Sequence, residues 1–563
     1  MQKSMWLMPA LLFSMFISGC GSSAPITVVA STTTALASSD VSNKTLYSTP
    51  INSTKGYIAF QIYPGGSATW DSTENTNPIP SADVSGTWAI SNGQLILSVA
   101  GRPAYQFTCI QKESNYFFTN EIKYDGSNNI ISNKITRMYF NPADAETYLN
   151  SITTPNGNGV RLGGAFQGIP LPAFTNVSTV VGVTGQIAYP FADYTAGRTP
   201  PVKLGWPVGI TMIDGIDGKT LFVLDNLSNR IQVVTLDANG AATKVKTLGS
   251  TSTPSVDLTF NNPSDITNDG ENLYVTDTSN FTIDKIALTY DSTNNFYTGS
   301  LSILAGSTGA SQALDGTGNT TTIGTTVGTV GTARFSFPIG ITTDGTNLYV
   351  TDNNSIRKID LGSPTAAPLV ASSPPTTPQV TTLAGYPGQA GTADATGTAA
   401  RFNLPLRITT DGTNLYVTDY NNYTIRKVSI ATGQVTTIAG SPAIFATNST
   451  NPIATGDQAR FNGPNGITTD GTNLYVTDWG PVIYGSPARG QVVFSIAIAN
   501  PANPTSQYSG PVTRIAGTQD AVGFNSSTVT PDKALFDCPI GITTDGTSLF
   551  VADSLNYTIR RIK

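Results

Sequence analysis

Histidine is absent from all 563 residues. Its absence excludes Ser-His-Asp and Cys-His catalysis, and zinc or haem sites built on imidazole. Carboxylate chemistry and an oxygen-ligated calcium site stay open, because they need only oxygen donors. Charge is also scarce. Asp, Glu, Lys and Arg together make up 12% of the chain, about half the usual share for a soluble protein. The net charge is −6 and no basic stripe is present, which argues against nucleic acid as a partner. Turn formers stand in place of strong helix formers, with 54 Gly and 35 Pro. That balance favours an all-β fold of short strands, and the length calls for two or more domains.

The N-terminus has Lys3 followed by an apolar stretch over 6–17, too short to span a bilayer stably. Ile17, Ser18, Gly19 and Cys20 then follow. This run resembles a bacterial lipobox. The resemblance implies a signal peptide over 1–19, a lipid on Cys20 and a tether over 20–45. Gly21 stands where an Asp would resemble an inner-membrane retention signal, so outer-membrane delivery is expected. Several acyl chains hold a protein at a membrane far better than one.

Residues 46–150 read as a separate small β domain, a meander or barrel. Apolar and aromatic runs alternate with turns, and Asn92–Gly93 and Asp125–Gly126 are hairpin signals. Residues 86–97 resemble a segment of small lipocalin-like meanders. A short helical segment is expected at 143–149, then a Gly/Pro-rich linker over 151–175.

From 176 onward one pattern recurs. Its cleanest copy is Phe402 to Val428, FNLPLRITTDGTNLYVTDYNNYTIRKV, followed by QVTTIAG over 434–440. The aspartate ending its second strand falls at Asp225, Asp277, Asp352, Asp419, Asp478 and Asp553. A fixed motif with variable spacing is how propeller blades with loop insertions look. The pattern closely resembles the NHL repeat, which implies a six-bladed β-propeller over 176–563, each blade of four strands. The last copy ends after its third strand. Residues 178–183 read as a detached fourth strand and are expected to close the ring, leaving no open edge.

A residue found in every blade is expected to serve the blade. The six landmark aspartates should accept backbone hydrogen bonds in the turn after the second strand; the alternative is a carboxylate ring holding a cation. Arg334, Arg401 and Arg460, each before a blade-opening Phe, should pair with acidic or carbonyl groups between blades, and Arg357, Arg426 and Arg560 likewise. Departures from the repeat are the better site candidates. Insertions at 307–333, 386–400, 441–459 and 518–535 should share one face, with Asp315, Asp394, Asp457 and Asp520 on them. Tyr420 and Trp479 follow their landmark aspartates where other blades carry small or polar residues, and two aromatics there would suit a sugar or a peptide side chain. Cys109 and Cys538 are expected to be free and buried, although an oxidising location would allow a bridge.

These features suggest a non-catalytic binding or scaffold protein, attached to the membrane through its lipid, that holds a protein or glycan partner at the cell envelope. No cofactor is expected, calcium being the one left open. The alternative is a propeller enzyme. The lyase type it would resemble needs histidines; the lactonase type resembles a calcium site of Glu, Asn and Asp. Self-assembly at the surface is a third reading.

Overall fold

The computed structural model describes the strand backbones between residues 44 and 139 and, with breaks in the connecting loops, residues 171–563. The main breaks are 184–193, 196–202, 251–257, 318–330, 362–377, 443–452, 480–489 and 499–509. Cys20, residues 20–43 of the expected tether, the helix expected at 143–149 and most of the linker lie outside the described residues, as do Asp457 and Asp520; Lys44 and Thr45, expected to end the tether, instead open the first strand below.

Eight antiparallel strands close into a barrel in chain order: Lys44–Pro50, Ile58–Ile62, Ser67–Trp70, Val84–Ser91, Gln94–Val99, Arg102–Lys112, Tyr116–Tyr124 and Ile130–Tyr139. The first pairs with the eighth through Tyr47 and Tyr139. On the fifth, Leu95 and Leu97 are buried while Ile96 and Ser98 are partly exposed, the alternation of a strand with one face inside. Closure leaves the small sheet without an edge to template aggregation.

Six further sheets follow, each built on an antiparallel four-stranded blade. Blade 1 holds Pro207–Gly215, Gly218–Asp225, Arg230–Leu236 and Ala242–Thr247. Blade 2 holds Asp265–Asn268, Asn272–Asp277, Thr282–Asp291 and Phe296–Gly306. Blade 3 holds Pro338–Thr343, Asn347–Asp352, Ser355–Asp360 and Gln379–Gly385. Blade 4 holds Pro405–Thr410, Asn414–Asp419, Thr424–Ser429 and Val435–Gly440. Blade 5 holds Pro464–Thr469, Asn473–Trp479, Gly490–Ala497 and Val512–Ala516. Blade 6 holds Pro539–Thr544, Leu549–Asp553 and Thr558–Ile562, and its fourth strand is Val177–Gly182 from the other end of the propeller. That strand pairs Thr558 with Gly182 and Ile562 with Val177. The first strands neighbour one another in a closed ring around the axis. Among the described residues the helical segments are 3₁₀ turns of three residues.

The repeat letters have separate structural jobs. In the Asp-Gly turn of blade 4, the Asp411 carboxylate accepts the Thr413 and Asn414 amides at 2.8 and 2.6 Å and the Tyr416 hydroxyl at 2.7 Å. Gly412 takes a φ of 83°, which other residues resist. The second-strand threonine ties blade to blade. Thr276, Thr351, Thr418 and Thr477 donate their hydroxyls to the carbonyls of Ile339, Leu406, Asn465 and Ile540 on the next first strand. Apolar side chains fill the spaces between blades rather than one common core: Tyr349 and Ile356 of blade 3 pack with Phe402, Leu415 and Val417 of blade 4. Both faces of the inner strands are therefore buried, and these strands lack polar alternation.

The insertions fold back onto the outer edge of the blade that they precede. Tyr194–Thr195, Gly249–Ser250, Gly316–Thr317 and Ile453–Ala454 add a fifth strand to blades 1, 2, 3 and 5. Single bridges, Thr396 to Gln434 and Val529 to Val177, do the same for blades 4 and 6. Every blade thus has its outer edge covered at one point, which blunts unpaired backbone groups.

Candidate functional site

The landmark aspartates are buried and occupied, but their bonds differ from the sequence expectation. Their amide donors lie chiefly before the first strand, not after the second. Asp419 accepts the Asn403 amide at 2.7 Å, Asp352 those of Ser336 and Phe337, Asp478 those of Asn462 and Gly463, and Asp553 that of Asp537. Asp225 and Asp277 take those of Gly205, Trp206 and Asn261 in the same way. Each carboxylate thereby locks the loop entering a blade to the end of its second strand. Burial pushes the Asp419 carboxyl up to about 6, against the pull of the Arg426 guanidinium and the Asn403 amide.

Asp315 and Asp394, expected on a binding face, are used differently. Arg357 bridges Asp352 at 3.0 Å and Asp315 at 2.9 Å, and Arg426 bridges Asp419 and Asp394, both at 2.7 Å. Asp394 also accepts the Thr437 amide and hydroxyl on the outer strand. These acids pin the insertions to the blades, because a buried guanidinium needs more than one acceptor. Arg334 and Arg401 bond carbonyls within their own insertions, Gly331 and Thr398, rather than groups between blades. Cys538 is a free, buried thiol.

Two positions per blade sit where the first, innermost strand begins and the second strand ends, at one end of the ring of first strands. The residue before the blade proline is Trp206, Asn262, Phe337, Leu404, Gly463 or Cys538; the residue after the landmark aspartate is Asn226, Thr278, Asn353, Tyr420, Trp479 or Ser554. Backbone bonds join the two positions within a blade, Tyr420 to Leu404 and Trp479 to Gly463 among them. Polar members of the second set reach the next blade: Asn226 donates to the Pro263 carbonyl, Thr278 to that of Pro338 and Ser554 to that of Pro207. Tyr420 and Trp479 come together, their rings 6.3 Å apart and tilted by 44°. Gly463 lets them approach, since a Cβ there would meet the Trp479 carbonyl and the Tyr420 ring. Trp206 and Trp479 both rest on the cluster containing Val208, Cys538 and Ile540. Both indole N–H groups are buried without a hydrogen-bond partner among the described residues. Phe337 is 40% exposed.

The second residue after the blade proline is Gly209, Gly340, Gly466 or Gly541 in four blades. The glycines allow the inner strands to close up: a Cβ on Gly466 would overlap the Ile540 carbonyl oxygen. Blades 2 and 4 break this rule with Asp265 and Arg407. Arg407 reaches across the axis from blade 4 and donates Nη2 to the Val208 carbonyl of blade 1 at 3.1 Å. Val208 occupies the position whose carbonyl takes a threonine hydroxyl in blades 3, 4, 5 and 6, and blade 6 supplies Ala552 where that threonine would stand. Arg407 Nη1 lies 3.9 Å from Asp265 Oδ2, and that oxygen accepts the Ile341 amide at 3.1 Å. Nε and Nη1 of Arg407 have no hydrogen-bond partner among the described residues. Burial lowers the Arg407 pKa and raises that of Asp265, each opposed by the other's charge. Arg407 and Asp265 thus form a buried pair of opposite charges that leaves Nε and Nη1 of Arg407 without a hydrogen-bond acceptor among the described residues. Sequence reasoning passed over Arg407, Asp265 and Trp206. The signal was available in the P-x-G-I segment, where the glycine is replaced twice, by opposite charges.

No protein-family model matches the chain, and no curated protein matches it. Among solved structures, an auxiliary nutrient binding protein from Bacteroides thetaiotaomicron is similar at 13% identity and a TM-score of 0.44, over 92% of this chain and 98% of that one. A structural genomics protein of unknown function from the same species gives 14% and 0.43, over 83% and 94%. An auxiliary nutrient binding protein from Bacteroides ovatus gives 12% and 0.33, over 92% and 98%. By its own sheet topology and repeat, the chain carries a six-bladed β-propeller that resembles the NHL type, preceded by a small closed β-barrel.

Proposed function

We propose that this is a non-catalytic glycan-binding protein of a bacterial cell envelope, held to the membrane by a lipid on Cys20, with its saccharide site at the mouth of the propeller channel. The observation that carries this reading is the set of unpartnered buried donors at and below the mouth: the indole N–H groups of Trp206 and Trp479, and Nε and Nη1 of Arg407. A saccharide offers what they lack, oxygen acceptors around a ring whose C–H faces pack on aromatic side chains. Tyr420, Trp479 and Phe337 supply such faces. The Asp265 carboxylate balances the Arg407 charge, which favours a neutral sugar over an anion. A protein side chain inserted into the mouth is the competing occupant. The lactonase alternative is less favoured, because among the described residues the inner first strands offer at this level one carboxylate, that of Asp265, already paired with Arg407.

The test is titration calorimetry of the full chain against neutral oligosaccharides chosen from an array. Trp479→Ala and Trp206→Ala should each weaken binding about 10- to 100-fold, the worth of one stacked, hydrogen-bonded aromatic, while a single cooperative melt, lowered because both rings pack on the Val208 cluster, shows that the fold is kept. Binding untouched by both variants, or capture of a protein alone, would sink the assignment. Labelling of cells with a fatty-acid analogue, lost in Cys20→Ala, checks the anchor.

A further inference from the structure

Blade 2 departs from its sister blades at one buried charge. The third-strand residue opposite the valine of L-Y-V is Arg357 in blade 3, Arg426 in blade 4 and Arg560 in blade 6. Each guanidinium holds its landmark aspartate through Nη1, at 3.0, 2.7 and 3.4 Å. The same nitrogen donates to the carbonyl of the residue before the blade-opening phenylalanine: Arg334 at 3.2 Å, Arg401 at 2.9 Å and Leu535 at 3.2 Å. In three blades, then, a cation sits between one carboxylate and one carbonyl oxygen.

In blade 2 the frame is retained and the cation is missing. Asn261 donates its amide to Asp277 at 2.7 Å, as Asn403 does to Asp419. Asn280 donates to Asp277 at 2.7 Å, as Asn422 does to Asp419 at 2.8 Å. Phe260 opens the blade, so Thr259 stands where Arg401 stands. The residue opposite Val275, however, is Asp284. It is 3% exposed, and its Oδ1 has no partner among the described residues. A second carboxylate has replaced the guanidinium, and no Lys or Arg pairs with either acid in the described ion pairs. The two carboxyls lie within hydrogen-bond reach of each other, and two buried carboxylates so close cannot both remain charged without a compensating positive charge.

We infer that blade 2 binds one calcium ion between the carboxylates of Asp277 and Asp284 and the Thr259 carbonyl, in the place that a guanidinium takes in blades 3, 4 and 6. The donors are all hard oxygens, and calcium accepts irregular sets of these with water completing the shell, whereas magnesium demands a tighter octahedron. A site with two carboxylates belongs with the weak extracellular modules, at a Kd of about 10⁻⁴–10⁻³ M.

Thermal unfolding and calorimetry of the full chain, stripped with EDTA and then titrated with CaCl₂, test this. One calcium per chain is expected, with the melting temperature of the propeller raised by a few degrees at about 10 mM CaCl₂ and less by MgCl₂. Asp284→Arg rebuilds the sister-blade arrangement and should melt no lower than the stripped wild type, with no response to calcium. If that variant fails to fold, Asp284→Asn serves: it should fold and also lose the response. A calcium response that survives in Asp284→Asn overturns the site. So does a wild type indifferent to calcium that instead loses stability from about pH 4 up to about pH 8 and levels off above, a loss that shrinks in Asp284→Asn. In that outcome the two carboxyls share a proton. Burial and the Asp277 charge lift Asp284 to about 8, and a raised folded pKa contributes stability that disappears as pH climbs through it.

Discussion

At the scale of single residues, low overall charge coexists with charge in the most buried places. The side chains of Arg426 and Asp419 are 1% and 0% exposed, and the ring of Phe402 lies 5.0 Å from the guanidinium carbon. Such a pair adds little net stability over a well-packed apolar one, yet breaking it strands a charge. Arg426→Met should therefore lower the unfolding free energy by about 3–5 kcal/mol in a guanidinium titration. The double variant Arg426→Met with Asp419→Asn should recover much of that loss, since no buried charge is left alone and Asn still accepts the Asn403 amide. If the double variant is no more stable than the single, the penalty does not come from the stranded carboxylate.

At the scale of the element, the insertions and the detached strand solve one problem, the exposed outer edge of a blade. The strand Val177–Gly182 closes blade 6, and Lys563 adds its carbonyl to the amides of Thr175 and Asn176. Deleting residues 171–183 should destabilise the whole propeller by about 3–5 kcal/mol, the order of several lost ladder bonds, and lower its melting temperature. An unchanged melt would mean that the ring does not depend on this closure. Asp394→Ala removes the carboxylate that ties the insertion 386–400 to Arg426 and Thr437, leaving the weaker carbonyl contacts at Ala393 and Ala395. It should expose the amides of Thr437 and Gly397 to faster hydrogen exchange while the first strand, Pro405–Thr410, stays protected. Uniform protection across blade 4 in that variant would refute the pinning role.

At the scale of the whole molecule, the axis carries the departures that no single blade explains. Arg407, Asp265 and Ala552 lie on three different blades, and they complement one another. Ala552 leaves the Val208 carbonyl without its threonine, Arg407 takes that carbonyl from across the channel, and Asp265 balances Arg407. Restoring the repeat at all three, Arg407→Gly with Asp265→Gly and Ala552→Thr, should give a propeller about as stable as the wild type, because each change follows the sister blades. The saccharide binding that we propose should fall about tenfold or more with the loss of the buried donors. A triple variant that binds as the wild type does would move the site away from the channel.

The repeat, the blade number and the closing strand were legible in the sequence because they are local: an Asp-Gly turn, a tyrosine reaching its aspartate and a β-rich run act within about twenty residues. The same locality made the repeat aspartates recognisable as structural. What tertiary structure alone decided was which long-range partner each charge found. Asp394 and Asp315 looked like surface acids of loops, and became anchors because the third-strand arginines beneath them are buried and need two acceptors. Tyr420 and Trp479 are 59 residues apart in sequence, and ring closure sets them side by side. Arg407 and Val208 meet because a six-fold ring brings opposite blades face to face across a narrow axis. No reading along the chain contains that distance, since it exists once the last strand has closed the circle.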